Sequence, residues 1–272
     1  SPTKVTFSCD PISTESPAEV FISGVSGIIV SVPPNIVKSY SVRCHYEGVG
    51  ITNPIAKSEI KKVRFRALYA DYVTKGELDF YTLSNSKLEE IEGSGKDVFE
   101  NINDPSLNKR DRTIRPIFSE GPIRLEIELL SAPNPLSELA PYTFYVRIKN
   151  DEYLWKGSVL RVNSLKLGKP GGLNLESENC DFDTDGNIKP SAFESINTEF
   201  VDIKRASEEF GLVTSSDTPA VREVKLTCSF KVDDVQEQLK KDTITAEMNY
   251  DYEFSKVTTF TISKPVIAVE DK

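Results

Sequence analysis

Val224-Lys-Leu-Thr-Cys228-Ser-Phe-Lys-Val232, followed by Thr243-Ile-Thr-Ala-Glu-Met-Asn-Tyr-Asp251-Tyr252-Glu-Phe-Ser-Lys256-Val-Thr-Thr-Phe-Thr-Ile262, decides how this chain reads, because an earlier stretch repeats its order of features. There Ser41-Val-Arg-Cys44-His-Tyr46 precedes Val63-Arg-Phe-Arg-Ala-Leu-Tyr-Ala-Asp71-Tyr72-Val-Thr-Lys75-Gly-Glu-Leu-Asp-Phe-Tyr-Thr-Leu83. Each copy holds a cysteine strand, a loop, a strand ending in Asp-Tyr, a turn at a lysine and a last strand. Apolar and polar residues alternate with period 2, the signature of half-buried strands. The second copy is preceded by more strand-like sequence, Gly121 to Lys166, which the first copy lacks. That difference predicts a first domain without its opening strands, whose unpaired edges another chain can fill.

The same alternation predicts strands over Lys4–Cys9, Glu19–Ser23, Gly27–Val32, Pro122–Leu130, Tyr142–Lys149 and Ser158–Leu167. Proline and glycine fall mostly between them, as in Val32-Pro-Pro-Asn35 and Lys169-Pro-Gly-Gly172. Many short strands separated by turns predict an all-β chain of two tandem antiparallel sandwiches. The predicted boundary puts residues 1–118 in the first domain, its end a polar linker over 84–118, and residues 119–272 in the second. One short helix is predicted in the second domain, where Ser191-Ala-Phe-Glu194 has capping-box spacing. Phe193, Ile196, Phe200, Ile203 and Phe210 then recur near helical spacing, and Gly211 suits the residue after the end. Glu199–Ile203 reads equally as a strand.

The four cysteines form no Cys-x-x-Cys pair, which disfavours zinc and thioredoxin-like chemistry. The repeat pairs Cys9 with Cys44 and Cys180 with Cys228, each bridge closing a long loop and stabilising by about 3–4 kcal/mol in the chain-entropy account. Two disulfides predict an oxidising, extracellular or cell-surface setting, with a thermophile's protein as the alternative. A formal net charge of −9 opposes a nucleic-acid partner. No apolar run is long enough to span a membrane.

Tyr142-Thr-Phe-Tyr-Val-Arg-Ile-Lys-Asn150, with the proline-bearing Ser131–Pro141 before it, resembles the F-x-V-x-I-x-N strand of immunoglobulin-like modules in archaeal and bacterial surface proteins. The resemblance covers about thirty residues. It implies a seven-stranded immunoglobulin-like sandwich for residues 121–272 and a surface setting, and it carries over no catalytic residue.

Asp181-Phe-Asp183-Thr-Asp185-Gly186-Asn-Ile188 matches the first eight positions of an EF-hand calcium loop. Position 12 is Ala192 rather than a bidentate acid, and Pro190 interrupts the tail. Two readings stand: a calcium site held by Asp181, Asp183 and Asp185, or a solvated acidic turn. His45 is the single histidine and reads as a strand residue, since no nucleophile motif accompanies it. Trp155 reads as an exposed anchor or a lid on the sandwich.

These observations predict a non-enzymatic extracellular structural protein, a filament or sheath subunit joined head to tail to copies of itself by strand exchange. The alternatives are a monomeric adhesion or calcium-dependent glycan-binding ectodomain, or an archaeal-virus structural protein. Two segments qualify as the inserting strand, Pro2–Cys9 and Pro265–Val269; the bridge at Cys9 tethers the first, so the second is favoured, with Val266, Ile267 and Val269 fixing its register.

Overall fold

Val, Ile, Thr, Tyr and Phe dominate the alternating stretches, and these residues suit a pleated surface with one face buried. The structure, a computed structural model, describes residues 3–11, 19–22, 28–32, 41–45, 59–130, 134–138, 141–150, 157–198, 223–233 and 235–262. Along them run β1 (Thr3–Pro11), β2 (Glu19–Ile22), β3 (Ile29–Val32), β4 (Val42–His45), β5 (Glu59–Thr82) and helix α1 (Asn85–Gly93). The short strands β6 (Leu107–Asn108), β7 (Thr113–Ile114) and β8 (Ile117–Phe118) follow. Then come β9 (Ile123–Leu130), β10 (Tyr142–Asn150), β11 (Gly157–Gly168) and β12 (Leu173–Cys180). Helix α2 over 190–198, β13 (Glu223–Val232) and β14 (Lys240–Ile262) complete the order. The fold is mostly β, in antiparallel sheets. Among the described residues no helix is long and apolar enough to cross a membrane.

Contacts group the chain into two compact units: Ser1–Asp71 with Lys156–Ser158 and Asp251–Lys272, and Tyr72–Trp155 with Val159–Tyr250. This division differs from a sequential boundary at Phe118. β5 leaves the first unit between Asp71 and Tyr72, and β14 enters it between Tyr250 and Asp251.

In the first unit β1 lies between β3 and β5, with Val5 opposite Val30 on one side and Tyr69 on the other. Val5, Phe7, Val30 and Ala67 form its core, and Val32, Val42, Phe65, Tyr69 and Phe254 pack on it only partly buried. β2 pairs with β4, Val20 opposite Cys44. The Cys9–Cys44 disulfide joins that pair to the sheet containing β1. Asp71 has a positive φ of 54°. Asp tolerates that region better than most residues, and its N–H donates to Asp251 Oδ1 at 3.0 Å.

In the second unit one sheet has the order β12-β13-β10-β9, while β11, β14 and β5 are neighbours in another, with β8 on β5. Both sheets bury alternate residues. Ile123, Leu125, Ile127, Phe144, Val146 and Ile148 from the first are fully buried, as are Ile244, Met248 and Tyr250 from the second. The two faces meet directly: Tyr250 Oη accepts the Ile123 N–H at 3.2 Å, and the Thr74 hydroxyl donates to the Ile123 carbonyl at 2.8 Å. Cys180 and Cys228 sit opposite each other on adjacent strands of one sheet, so their disulfide reinforces an existing ladder.

The structure departs from the sequence reading in three places. The turns expected at Lys75 and Lys256 do not exist, because β5 and β14 run unbroken for 24 and 23 residues. Gly76 serves close approach instead of a turn, since a Cβ there would lie 2.4 Å from the Leu125 carbonyl oxygen. Residues 84–118 are not a linker: they carry α1 and three short strands, and Phe99, fully buried, packs with Tyr81 and Leu107. The helix predicted from Ser191 starts earlier. The Phe193 N–H donates to the Lys189 carbonyl at 2.9 Å, which makes Lys189 the cap and puts Pro190 at the first helical position, where its missing N–H costs nothing. Ile196 is fully buried; Phe200, Ile203, Phe210 and Gly211 lie outside the described residues.

Gly76→Ala is expected to destabilise by about 2 kcal/mol or more, through overpacking against fixed backbone. Gly93→Ala, with nothing within 4 Å of its Cβ, is expected to change stability by less than about 0.5 kcal/mol or to raise it. Urea unfolding of both variants checks the contrast; equal losses would contradict it.

Candidate functional site

The sequence-predicted residues fall at separate places. Both disulfides, Cys9–Cys44 and Cys180–Cys228, form as the repeat implies, and no described cysteine is free. Val266, Ile267, Val269 and Trp155 lie outside the described residues. His45 is an exposed residue of β4, opposite Glu19.

The Asp181–Ile188 loop is a tight turn closed by its own acids. Asp183 Oδ1 accepts the N–H groups of Asp185 and Asn187 at 2.9 and 2.8 Å, and these bonds with the Asn187 side chain hold the Asp183 carboxyl below its ordinary value, Asn187 contributing most. Asp181 Oδ2 points elsewhere, to the Thr227 N–H at 2.7 Å. Gly186, at φ 82°, lets the Leu167 carbonyl approach to 2.1 Å from where a Cβ would stand. Among the described residues no three His, Cys, Asp or Glu side chains converge as a metal group.

A denser constellation is built where β5 and β14 carry Asp79, Tyr81, Lys241 and Thr243 on neighbouring strands. Lys241 Nζ lies 2.7 Å from Asp79 Oδ2 and 2.8 Å from Asp104 Oδ2. The Tyr81 hydroxyl donates to Asp104 Oδ2 at 2.8 Å, and Ser106 Oγ donates to Asp104 Oδ1 at 2.6 Å. Thr243 Oγ1 donates to Asp79 Oδ1 at 2.7 Å. Hydrogen bonds from Lys241, then Ser106, hold the Asp104 carboxyl well below the usual carboxylate range. Burial, then the bond to Asp104, pushes the Tyr81 phenol up to about 12. Bonds to Asp104 and Asp79 hold the Lys241 ammonium above its ordinary value. Every acceptor is matched to a donor, so the cluster acts as a clasp that holds residues 97–107 against the sheet.

Beside this clasp opens a cleft of about 320 Å³ between β9, the start of the Leu78–Asp79 run of β5 and the strap Thr113–Pro116. It is lined by four consecutive β9 residues, Glu126 to Leu129, so the strand presents its main chain there as well as its side chains. β9 ends its sheet. Ile123 turns its N–H and carbonyl away from β10, to Tyr250 and Thr74, and the register to β10 is unbroken from Ile123 to Leu130. By the two-residue repeat of an antiparallel ladder, Ile127 and Leu129 turn the same groups outward. Among the described residues nothing hydrogen-bonds to them. The charges of this wall are satisfied internally: Glu126 with Lys149 at 2.5 Å and Glu128 with Arg147 at 2.7 Å. Arg115, exposed on the strap, has no charge partner among the described residues. Sequence reasoning missed this site by placing Arg115 in a linker; the outward alternation of Glu126 and Glu128 on a strand was its one visible sign.

No protein-family model, curated protein or solved structure matches this chain.

The clasp gives stability a definite pH window. A depressed Asp104 contributes above its unfolded value of 3.8 and loses that contribution as pH falls through the folded value. A raised Tyr81 contributes below its unfolded value of 10.0 and loses that contribution as pH rises toward about 12. Asp104→Asn is expected to cost about 1–2 kcal/mol at neutral pH, at the low end because Lys241 is 41% exposed. The gap from the wild type should narrow as pH drops below about 4. Urea unfolding across pH reads it, and a pH-independent gap would remove Asp104 from the clasp.

Proposed function

We propose that this protein is a non-enzymatic extracellular structural subunit that joins copies of itself by strand addition at open sheet edges. One observation carries the reading: a cleft runs along the main chain of β9, and Ile127 and Leu129 have outward N–H and carbonyl groups with no partner among the described residues. Unpaired edges of this kind template pairing with another chain. Two disulfides support an oxidising compartment. The half-covered side chains around the first unit's core, with Ile29 of β3 56% exposed, support a surface that a neighbouring subunit covers. In this reading the second unit is a seven-stranded sandwich of immunoglobulin-like size, with its own strand order and a disulfide within one sheet rather than between two.

Purified, non-reduced protein is expected to form head-to-tail oligomers that lengthen with concentration, visible by sedimentation velocity and negative-stain microscopy. A chain that remains monomeric at all accessible concentrations would favour a monomeric adhesion ectodomain and retire the assembly reading. Truncation after Ser263 is expected to abolish the oligomers; unchanged assembly would show that the segment beyond it is not exchanged.

A further inference from the structure

We infer that the β9 cleft of the second unit is the acceptor site, and that its occupant is the segment Val266–Asp271 of a second copy of this chain. The inference rests on the assembly reading above and names the docking surface within it. An occupant of this cleft must satisfy three conditions set by its walls. It must be extended, because the groups it meets are the outward N–H and carbonyl of Ile127 and Leu129, two residues apart on one strand edge. It must put apolar side chains on alternate positions, because the wall facing β9 holds Leu78, Ile114 and Pro116. It must bring an anion to the strap, because the acids of the cleft are already neutralised by Lys149, Arg147 and Lys241, while Arg115 has no charge partner among the described residues.

The sequence Val266-Ile-Ala-Val269-Glu-Asp271 meets all three. In a strand, Ile267, Val269 and Asp271 share one face. With Ile267 and Val269 against Leu78, Ile114 and Pro116, Asp271 falls at the end of the apolar run and pairs with Arg115. Pro265 stands just before the paired stretch, where its missing N–H removes no ladder bond. The acceptor is therefore in the second unit rather than in the N-terminal region, where the sequence alone placed it.

The test uses the full chain and three kinds of variant, read by sedimentation velocity with thermal melts as folding controls. Leu129→Pro removes the outward N–H without touching the β9–β10 ladder, and it is expected to raise the concentration needed for association at least tenfold. Arg115→Glu, an exposed change, is expected to weaken association several-fold, as is Asp271→Lys. The double variant Arg115→Glu with Asp271→Lys is expected to recover most of the wild-type association, because the charges are exchanged. Wild-type assembly that persists unchanged in Leu129→Pro and Arg115→Glu overturns the acceptor site and leaves the assembly reading standing. A wild type that never associates overturns the assembly reading. The docking site is then judged by fluorescence anisotropy of a labelled peptide of residues 264–272: binding lost in Arg115→Glu keeps it, and no binding, or equal binding to both chains, removes it.

Discussion

In each unit β5 and β14 are neighbours, and on that ladder pair β1, which carries β3, in the first unit and β11 and β8 in the second. Their side-chain contacts run in opposite order along the two strands. In the first unit Asp71 meets Asp251 and Tyr69 meets Tyr252. In the second, Tyr72 meets Tyr250, Lys75 meets Glu247, and Asp79 meets Lys241 and Thr243. The two Asp-Tyr sequences that look like a repeat are thus opposite points of one antiparallel pair. Similar sequences arise because the two strands face similar surroundings: each needs an alternating face for a core, and each needs a polar residue where the chain changes unit. Asp71 resolves that point with a positive φ and a bond from its N–H to the Asp251 carboxylate.

The two units draw on different sources of stability. The second buries a long series of aromatic and aliphatic side chains completely, Phe80, Phe99, Phe144 and Phe230 among them. At about 25 cal/mol per Å² of apolar surface, such a core needs little further help. Its disulfide lies along an existing ladder. The first unit has a smaller core with partly exposed surroundings, and there Cys9–Cys44 connects strands that belong to different sheets. A bridge of sequence separation 35 stabilises by about 4 kcal/mol in the chain-entropy account. That is a large share of the net stability of a marginal unit, so reduction acts first on the side of the molecule that packing supports least.

Most strands were legible because alternation and β-branched composition are local. β10 shows this well: Phe144, Val146, Ile148 and Asn150 are all buried, as period 2 requires. β12 was missed because Leu173 and Leu175 begin an alternation that Glu176, Ser177, Glu178 and Asn179 do not continue, and its register to β13 shifts there. The length of β5 and β14 was illegible for a different reason. A Lys-Gly pair signals a turn in sequence, but Gly76 is required by the Leu125 carbonyl, a contact with a residue 49 positions away. The clasp was hidden likewise: Asp79, Asp104 and Lys241 are ordinary surface charges until tertiary structure gathers them. The cysteine pairing was legible because the repeat supplied the constraint that spacing alone lacks.

Sheet edges also explain why β9, rather than β12 at the other end of its sheet, is fit for pairing. Natural edges are blunted by bulges and by charge. β12, the other end of the same sheet, has both: a register shift and the exposed Ser177–Asn179 run with the Glu178 carboxylate. β9 has neither. Its ladder to β10 is regular from Ile123 to Leu130. Its acids, which would ordinarily repel an approaching strand, are tied to Arg147 and Lys149 on the neighbouring strand. Pairing those charges within the sheet is worth little to stability, since partly exposed ion pairs typically contribute under about 1 kcal/mol. Its larger consequence is electrostatic: the acids of the cleft wall are paired, and Arg115 is left without a charge partner among the described residues. In the proposed docking, a regular edge with paired acids and an unpaired cation beside it would discriminate among extended segments by where their carboxylate lies. That is how an otherwise sequence-tolerant main-chain ladder would acquire a register.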